Sequence, residues 1–304
     1  MPPDDPADRL DALIATELDR PAPPRVAAFA RSLAEAHGDS VLGVLFYGSC
    51  RRHFDGEGLL DFYIVYDRHH RFHGNRWHAL LNALLPPNVT MAAHDGLHAK
   101  VASLSLDQFA RAMRPGSIDT TMWARFTQPA SLLEARDGEA RDEITACIRQ
   151  AILTATGWAR AFSPAAAAPA GIWQRLFAHT YAAELRPERG NRPSEVYDAA
   201  PTWFDALLAA SPSAASPHGW AWRRSGGKVL NVLRLAKAAF TFEGGADYVA
   251  WKLERHAGVR LELDAWQRRH PLLAGPAVLW RLWRGGVFSA SRRSGRRDQS
   301  AAET

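Results

Sequence analysis

The chain is poor in cysteine: two among 304 residues, Cys50 and Cys147, far apart. That excludes a disulfide-stapled scaffold and fits a reducing compartment. The start, Met1-Pro2-Pro3-Asp4-Asp5, has neither the basic nor the apolar region of a secretory signal. No apolar run reaches the roughly 18 residues that a membrane-spanning helix needs. No segment repeats another, which excludes solenoids and propellers. Together these absences lead us to expect a cytoplasmic protein, free or bound to a membrane surface.

What the chain does have is an apolar content of 47%, enough for real cores, in a length that suits one large or two ordinary domains. It also has a formal charge of +5, unevenly placed. From Trp280 onward, Arg281, Arg284, Arg292, Arg293, Arg296 and Arg297 face only Asp298 and Glu303, so this end holds four of the five excess charges. A basic end points to a polyanion, nucleic acid or anionic lipid, or to a solvated tail. Within it, Leu279-Trp280-Arg281-Leu282-Trp283-Arg284 interleaves large apolar and basic side chains. On a helix that pattern suits a bilayer interface or the protein's own core.

The stretch around which the rest is organised is Val41-Leu42-Gly43-Val44-Leu45-Phe46, a short apolar run that reads as a buried strand and ends in Tyr47-Gly48-Ser49-Cys50. A turn of small residues lets backbone N–H groups approach an anion. Asp61 follows after eleven residues and opens a second apolar strand, Leu60-Asp61-Phe62-Tyr63-Ile64-Val65. Strand, Gly-Ser turn, then a carboxylate on the next strand is the minimal pattern of the nucleotidyltransferase fold. There the turn holds the phosphates of a nucleoside triphosphate and the carboxylate holds their magnesium.

In chain order, helices are expected at 8–19 and 24–37, before the central strands. Asp67 to Gly74 reads as a polar surface loop. His69 and His73 have the spacing of a helical metal pair, but no apolar stripe supports a helix there. A helix opens near Asn75 and ends at Pro86-Pro87; strands follow at 88–93 and 98–104. Lys100 sits in the second of these among apolar neighbours. It either faces a phosphate in a nucleotide pocket or occupies a solvent-facing edge. Helices at 106–113 and 119–126 and a strand at 131–134 complete the first half. Beyond about 137 helical spacing dominates, at 140–162, 172–185, 201–209 and 226–240, with Gly/Pro-rich or low-complexity loops between. The fold class is therefore α+β: a nucleotidyltransferase-type mixed sheet with helices over 1–136, then a mostly helical domain over 137–290. A basic, disordered tail is expected over 291–304.

The ordered motifs resemble the mitochondrial-type phosphatidate cytidylyltransferases (the mitochondrial translocator assembly and maintenance family) and their bacterial relatives. The family's Tyr-Gly-Ser-Gly, Asp-Phe and Trp-His elements correspond to Tyr47-Gly48-Ser49, Asp61-Phe62 and Trp77-His78. Looser matches are Lys100-Val101, Ala124-Arg125-Phe126-Thr127-Gln128-Pro129 and Ala183-Glu184-Leu185-Arg186, so the likeness covers about residues 44–190. Cys50, Ala124 and Gln128 depart from it, standing where the family has glycine, glycine and lysine. The wider superfamily has a second carboxylate two residues after the first, where this chain has Tyr63.

The resemblance implies a winged-helix-like second domain, peripheral attachment to the inner face of the membrane, and a reaction. CTP and phosphatidic acid give CDP-diacylglycerol and pyrophosphate, with Mg2+ as cofactor and no nucleic acid as partner. The expected roles are Asp61 as catalytic metal ligand, helped by Asp55 or Glu57, and Gly48 and Ser49 as the phosphate cradle. Lys100, Arg125 and Arg186 would be phosphate-binding cations, with Lys100 and Ser49 also serving catalysis. The alternatives are a nucleotidyltransferase with another acceptor and a catalytically inactive binding protein on the same fold.

Overall fold

The structure, a computed structural model, describes residues 5–52, 58–73, 76–183, 192–212 and 218–241. Helices α1 (Pro6–Leu18) and α2 (Pro24–Glu35) lead into β1 (Val41–Tyr47), the short turn α3 (Ser49–Arg52) and β2 (Leu59–Tyr66). Then come α4 (His69–Phe72), α5 (Arg76–Leu84), β3 (Asn88–His94), β4 (Leu97–Ser105), α6 (Leu106–Met113), α7 (Thr120–Phe126) and β5 (Ser131–Ala135). The remainder is helical: α8 (Gly138–Ala161), α9 (Pro169–Ala183), α10 (Arg192–Asp198), α11 (Pro201–Ala210) and α12 (Trp220–Thr241).

The five strands form one mixed sheet in the order β3-β4-β2-β1-β5. β2 and β4 run parallel; the other neighbours are antiparallel. A parallel pair needs a long crossover, which α4, α5 and β3 supply. Successive side chains point to opposite faces of a strand, so each strand feeds two cores. Leu45, Tyr47, Tyr63, Val65, Ala102 and Leu104 join the core that holds α1 and α6 to α9. Phe46, Leu60, Phe62, Ile64, Tyr66 and Val101 join Val26, Phe29 and Leu33 of α2. Burying one such Leu or Phe side chain contributes about 1.5–3 kcal/mol. β1, β2 and β4 are therefore apolar along nearly their whole length because both their faces are covered.

Local signals close the helices. Ser105 and Gln108 form a reciprocal capping box at the start of α6, with bonds of 3.3 and 3.1 Å. Asp119 caps α7 through Thr121 N, and Asp137 caps α8 through Ala140 N.

The fold is α+β with a mixed sheet, as expected, but residue 136 is no division. Ile144, Ile148 and Ile152 of α8 share the core of Leu45 and Tyr63. At Gly43 the approach is so close that a β-carbon would lie 2.6 Å from Ile144 Cδ1. Helical texture after 137 marks the covering of the sheet rather than a separate body. The chain divides instead into Met1–Arg234 and Leu235–Thr304. The second unit is described only over 235–241, so the basic end and the Trp280–Arg284 segment lie outside the described residues.

Three element expectations also change. Residues 192–198, read as loop, form α10, whose Tyr197 is buried against the core. α12 begins at Trp220 rather than about 226, since Gly226-Gly227 continues the helix. Gly227 lies against α9, where a β-carbon would be 3.0 Å from Ala183 O. Residues 69–72 are a helical turn, not a plain loop, because Phe72 is buried and stacked on Tyr66 at 4.3 Å.

Candidate functional site

β1 ends at Tyr47, and Gly48 turns the chain with φ of +90°. L-residues with a side chain rarely adopt that conformation. Gly48 is required for a second reason: a β-carbon on it would lie 2.7 Å from Asp61 Oδ2. The acidic side chain of β2 therefore lies directly against the bend that follows β1.

The sheet register explains this placement. Tyr47 pairs with Asp61, and Asp61 pairs with Lys100 on β4. Paired residues on neighbouring strands share a face, about 4.8 Å apart between strands. Lys100 is thus on an interior strand beside the carboxylate, and the reading that put it at a solvent-facing edge is overturned: β3 covers that side. Four influences act on Asp61. Burial raises its pKa above the usual carboxylate value, while the charges of Lys100 and Arg125 and a hydrogen bond from the Tyr47 hydroxyl act to lower it. Burial wins, since a carboxylate losing water loses more than these partners return.

Arg125 comes from α7, on the helical layer over this face. Its Nη1 donates to the Tyr63 hydroxyl at 2.9 Å, and its guanidinium carbon lies 5.3 Å from the Tyr47 ring centroid and 5.8 Å from that of Tyr63. Tyr63 donates in turn to Met122 Sδ at 3.4 Å. Cation–ring contacts contribute about 0.5–2 kcal/mol, the more so when water is excluded. Tyr63 is 1% exposed, so Arg125 is held from below by a rigid, buried ring. One negative and two positive groups then share the face, which suits an anionic ligand.

Other residues singled out from sequence have different fates. Ser49 is exposed and opens α3 immediately after the bend. Cys50 does not intrude on the bend: its Sγ donates to Leu59 O at 3.3 Å, and so faces β2. Gln128, just past the end of α7, donates back to Ala124 O of that helix at 3.3 Å. Arg186, Asp55 and Glu57 lie outside the described residues, as do the side chains of Trp77 and His78.

Arg51 is the residue that sequence reasoning missed. It follows the Gly-Ser turn, where a phosphate-binding cation would be looked for. Yet its side chain is buried, donating to Ser131 Oγ at 2.9 Å and Glu17 Oε1 at 2.6 Å. It ties the turn to β5 and α1. Tyr47 and Tyr63 were missed as polar groups of the site. Their two-residue alternation with apolar neighbours marks only a shared sheet face, and which face carries the acid follows from the register.

No protein-family model and no curated protein matches this chain. Among solved structures it is similar to a nucleotidyltransferase-like protein from Exiguobacterium sibiricum, at 10% identity and a TM-score of 0.28, over 86% of this chain and 92% of that one. That likeness is too loose to carry fold or activity across. The residues themselves must carry the reading.

Among the described residues, no group of three or more His, Cys, Asp and Glu side chains comes together as a metal cage.

Proposed function

We propose that this face binds a nucleoside triphosphate and transfers its nucleotidyl group, with Asp61 holding the magnesium that accompanies the phosphates. The observation that carries the reading is the contact of the Asp61 carboxylate with the Gly48 bend, with Lys100 and Arg125 beside it. Bound magnesium would supply positive charge shared between Asp61 and the phosphate oxygens. The chain's own residues do the rest. The bend at Gly48 and Ser49 leaves backbone at the surface, close enough for the β- and γ-phosphates. Lys100 and Arg125, beside Asp61, would offset the charge that develops on the phosphates from where they already stand. Tyr63 and Tyr47 hold the Arg125 guanidinium in place, so little reorganisation is needed as the reaction proceeds.

The finer reading is that CTP is the donor and phosphatidic acid the acceptor, giving CDP-diacylglycerol and pyrophosphate. It rests on the ordered motifs from Tyr47 to Arg186. A phosphate nucleophile is already anionic, so a site without a poised general base is adequate to it; positioning and charge neutralisation suffice. On this reading the Trp280–Arg284 segment would meet an anionic membrane surface. Among the described residues no helix is long and apolar enough to cross a membrane.

The test is incubation of the protein with labelled CTP or ATP, magnesium, and phosphatidic acid in mixed micelles. Labelled CDP-diacylglycerol from CTP supports the full reading. Label on another added acceptor supports nucleotidyl transfer but removes the lipid. No transfer from either nucleotide, with binding retained, leaves an inactive binding protein.

A further inference from the structure

Two rows of residues with the same helical spacing run along α12. The first row, Arg223, Gly227 and Arg234, fastens the helix to the fold. Arg223 donates to Pro115 O at 2.8 Å and to Ser117 O at 3.1 Å. A β-carbon on Gly227 would lie 3.0 Å from Ala183 O, so the backbones of α12 and α9 meet there. Arg234 donates to Pro86 O at 2.7 Å and to Asp119 Oδ2 at 2.6 Å. The second row starts one residue earlier, about 100° round the helix: Trp222, Gly226 and Leu233, with Val229 beside them. Trp222 is 77% exposed, Val229 60% and Leu233 50%. Gly226 leaves a gap in this row, and Ile118 fills it from the loop before α7. Ile118 Cγ2 lies 2.6 Å from where a β-carbon on Gly226 would be, and Ile118 is itself half-exposed.

Single exposed apolar side chains are ordinary. Four that adjoin, drawn from two elements, make a patch of the kind that marks an interaction surface. Charge narrows the partner. From Trp220 to Thr241 the helix holds Arg223, Arg224, Lys228, Arg234 and Lys237 and no acidic residue. Arg223 and Arg234 turn inward and Lys237 is buried, whereas Arg224 is exposed and Lys228 half-buried. Lys228 stands one step round the helix from Val229, so a basic edge borders the apolar row. Arg114, exposed in the loop that carries Ile118, adds a third cation. A second copy of this chain would set like charges against these. An anionic bilayer suits both parts of the surface: acyl chains receive the apolar row, and lipid phosphates meet the cations at its edge.

We propose that Trp222, Ile118, Val229 and Leu233, edged by Arg224 and Lys228, form a docking surface for an anionic lipid bilayer. The helix lies on the membrane and does not cross it, since it is not apolar enough to span. Trp222 is the anchor, because an indole, apolar in body and polar at its N–H, favours the headgroup level. The row 223, 227 and 234 holds the helix to the protein, so the apolar row is presented without any rearrangement. None of these residues belongs to the basic end of the chain, and all fall within Met1–Arg234. The surface rests on α12 and not on the nucleotidyl-transfer reading.

The experiment sediments full-length protein with sucrose-loaded vesicles of phosphatidylcholine, alone or mixed with phosphatidylglycerol, and without nucleotide. The wild type should bind the mixed vesicles about tenfold better than the neutral ones. Trp222→Ser combined with Leu233→Ser should lower that binding about tenfold or more. Arg224→Gln combined with Lys228→Gln should lower it about 25-fold at low salt, at about fivefold for each cation near an anionic surface. No binding by the wild type overturns the proposal. Equal binding by the wild type and the serine variant also overturns it, since attachment would then lie elsewhere in the chain. A dimer that the serine variant splits into monomers, seen by sedimentation velocity, would give the surface to a second copy and overturn the bilayer. Should the serine variant fail to fold, an environment-sensitive dye on Val229→Cys, with Cys50→Ser and Cys147→Ser, decides. A blue shift and quenching by nitroxide-labelled lipids on the mixed vesicles support the surface; unchanged emission from vesicle-bound protein overturns it. Because no nucleotide is present, either result leaves the transferase reading to its own assay.

Discussion

Gly48 and Asp61 compete for the same space: the position a β-carbon would take on Gly48 is 2.7 Å from Asp61 Oδ2. Two strands that are antiparallel neighbours thus bring a backbone bend and a carboxylate into contact without any side chain between them. On the proposed reading, a polyphosphate would reach both at once because no side chain stands between them.

Gly48→Ala is expected to act on fold and ligand together. The positive φ and the clash should cost about 1–3 kcal/mol, read by urea denaturation. The same variant should lose measurable binding of CTP. Wild-type binding in a folded Gly48→Ala protein would remove the bend from the site.

Asp61 should be kept for function at the expense of stability. Its folded pKa is raised by burial, so the folded state binds a proton more tightly than the unfolded one. Its favourable contribution is therefore present below the unfolded pKa of 3.8 and is lost as pH rises through the raised folded value. Asp61→Asn should then be at least as stable as wild type at pH 7, with the difference shrinking toward pH 4, while turnover is abolished. Thermal melts across pH check the sign. A variant markedly less stable at pH 7 would mean that Lys100 and Arg125 outweigh burial.

Tyr63→Phe separates positioning from packing. The ring stays beneath Arg125, but the hydroxyl that accepts from it at 2.9 Å is gone. A hydrogen bond to a charged group is worth about 1.5–3 kcal/mol, so affinity for CTP should fall tenfold or more. Because that bond is already made without ligand, the melting temperature should also fall, by about 3–10 °C. Unchanged affinity would show that the rings alone orient the guanidinium.

Glu17 and Arg51 form a buried pair at 2.6 Å, with side chains 10% and 5% exposed. Glu17→Ala strands a buried cation and should cost about 3–5 kcal/mol. Replacing both, as Glu17→Leu with Arg51→Met, should recover most of that. A double-mutant cycle by denaturation measures the coupling, and a coupling near zero would contradict the buried pairing.

Much of the site was legible in local sequence because its parts are local. An apolar run, a Gly-Ser turn and an Asp-led strand each follow from a few adjacent residues. What joins them is not local. That Lys100 lies beside Asp61 depends on β4 pairing in parallel with β2, across a crossover that leaves no mark on either strand. Arg51 looked like any basic residue after a turn, and its burial depends on Glu17, far away in the chain. The boundary expected at residue 136 failed for a related reason. A change from strand to helix spacing records local geometry, whereas Gly43 against Ile144 records which surfaces meet. The turn at 69–72 lacks an apolar stripe because one aromatic, Phe72, anchors it between Tyr66 and His37.

The most direct test of the central claim is pyrophosphate release from CTP, with magnesium and phosphatidic acid, by wild type and Asp61→Asn side by side. The account predicts release by the wild type that requires both additions and none by the variant, with both proteins folded. Equal release by the two, or none from a wild type that binds no CTP, would contradict it.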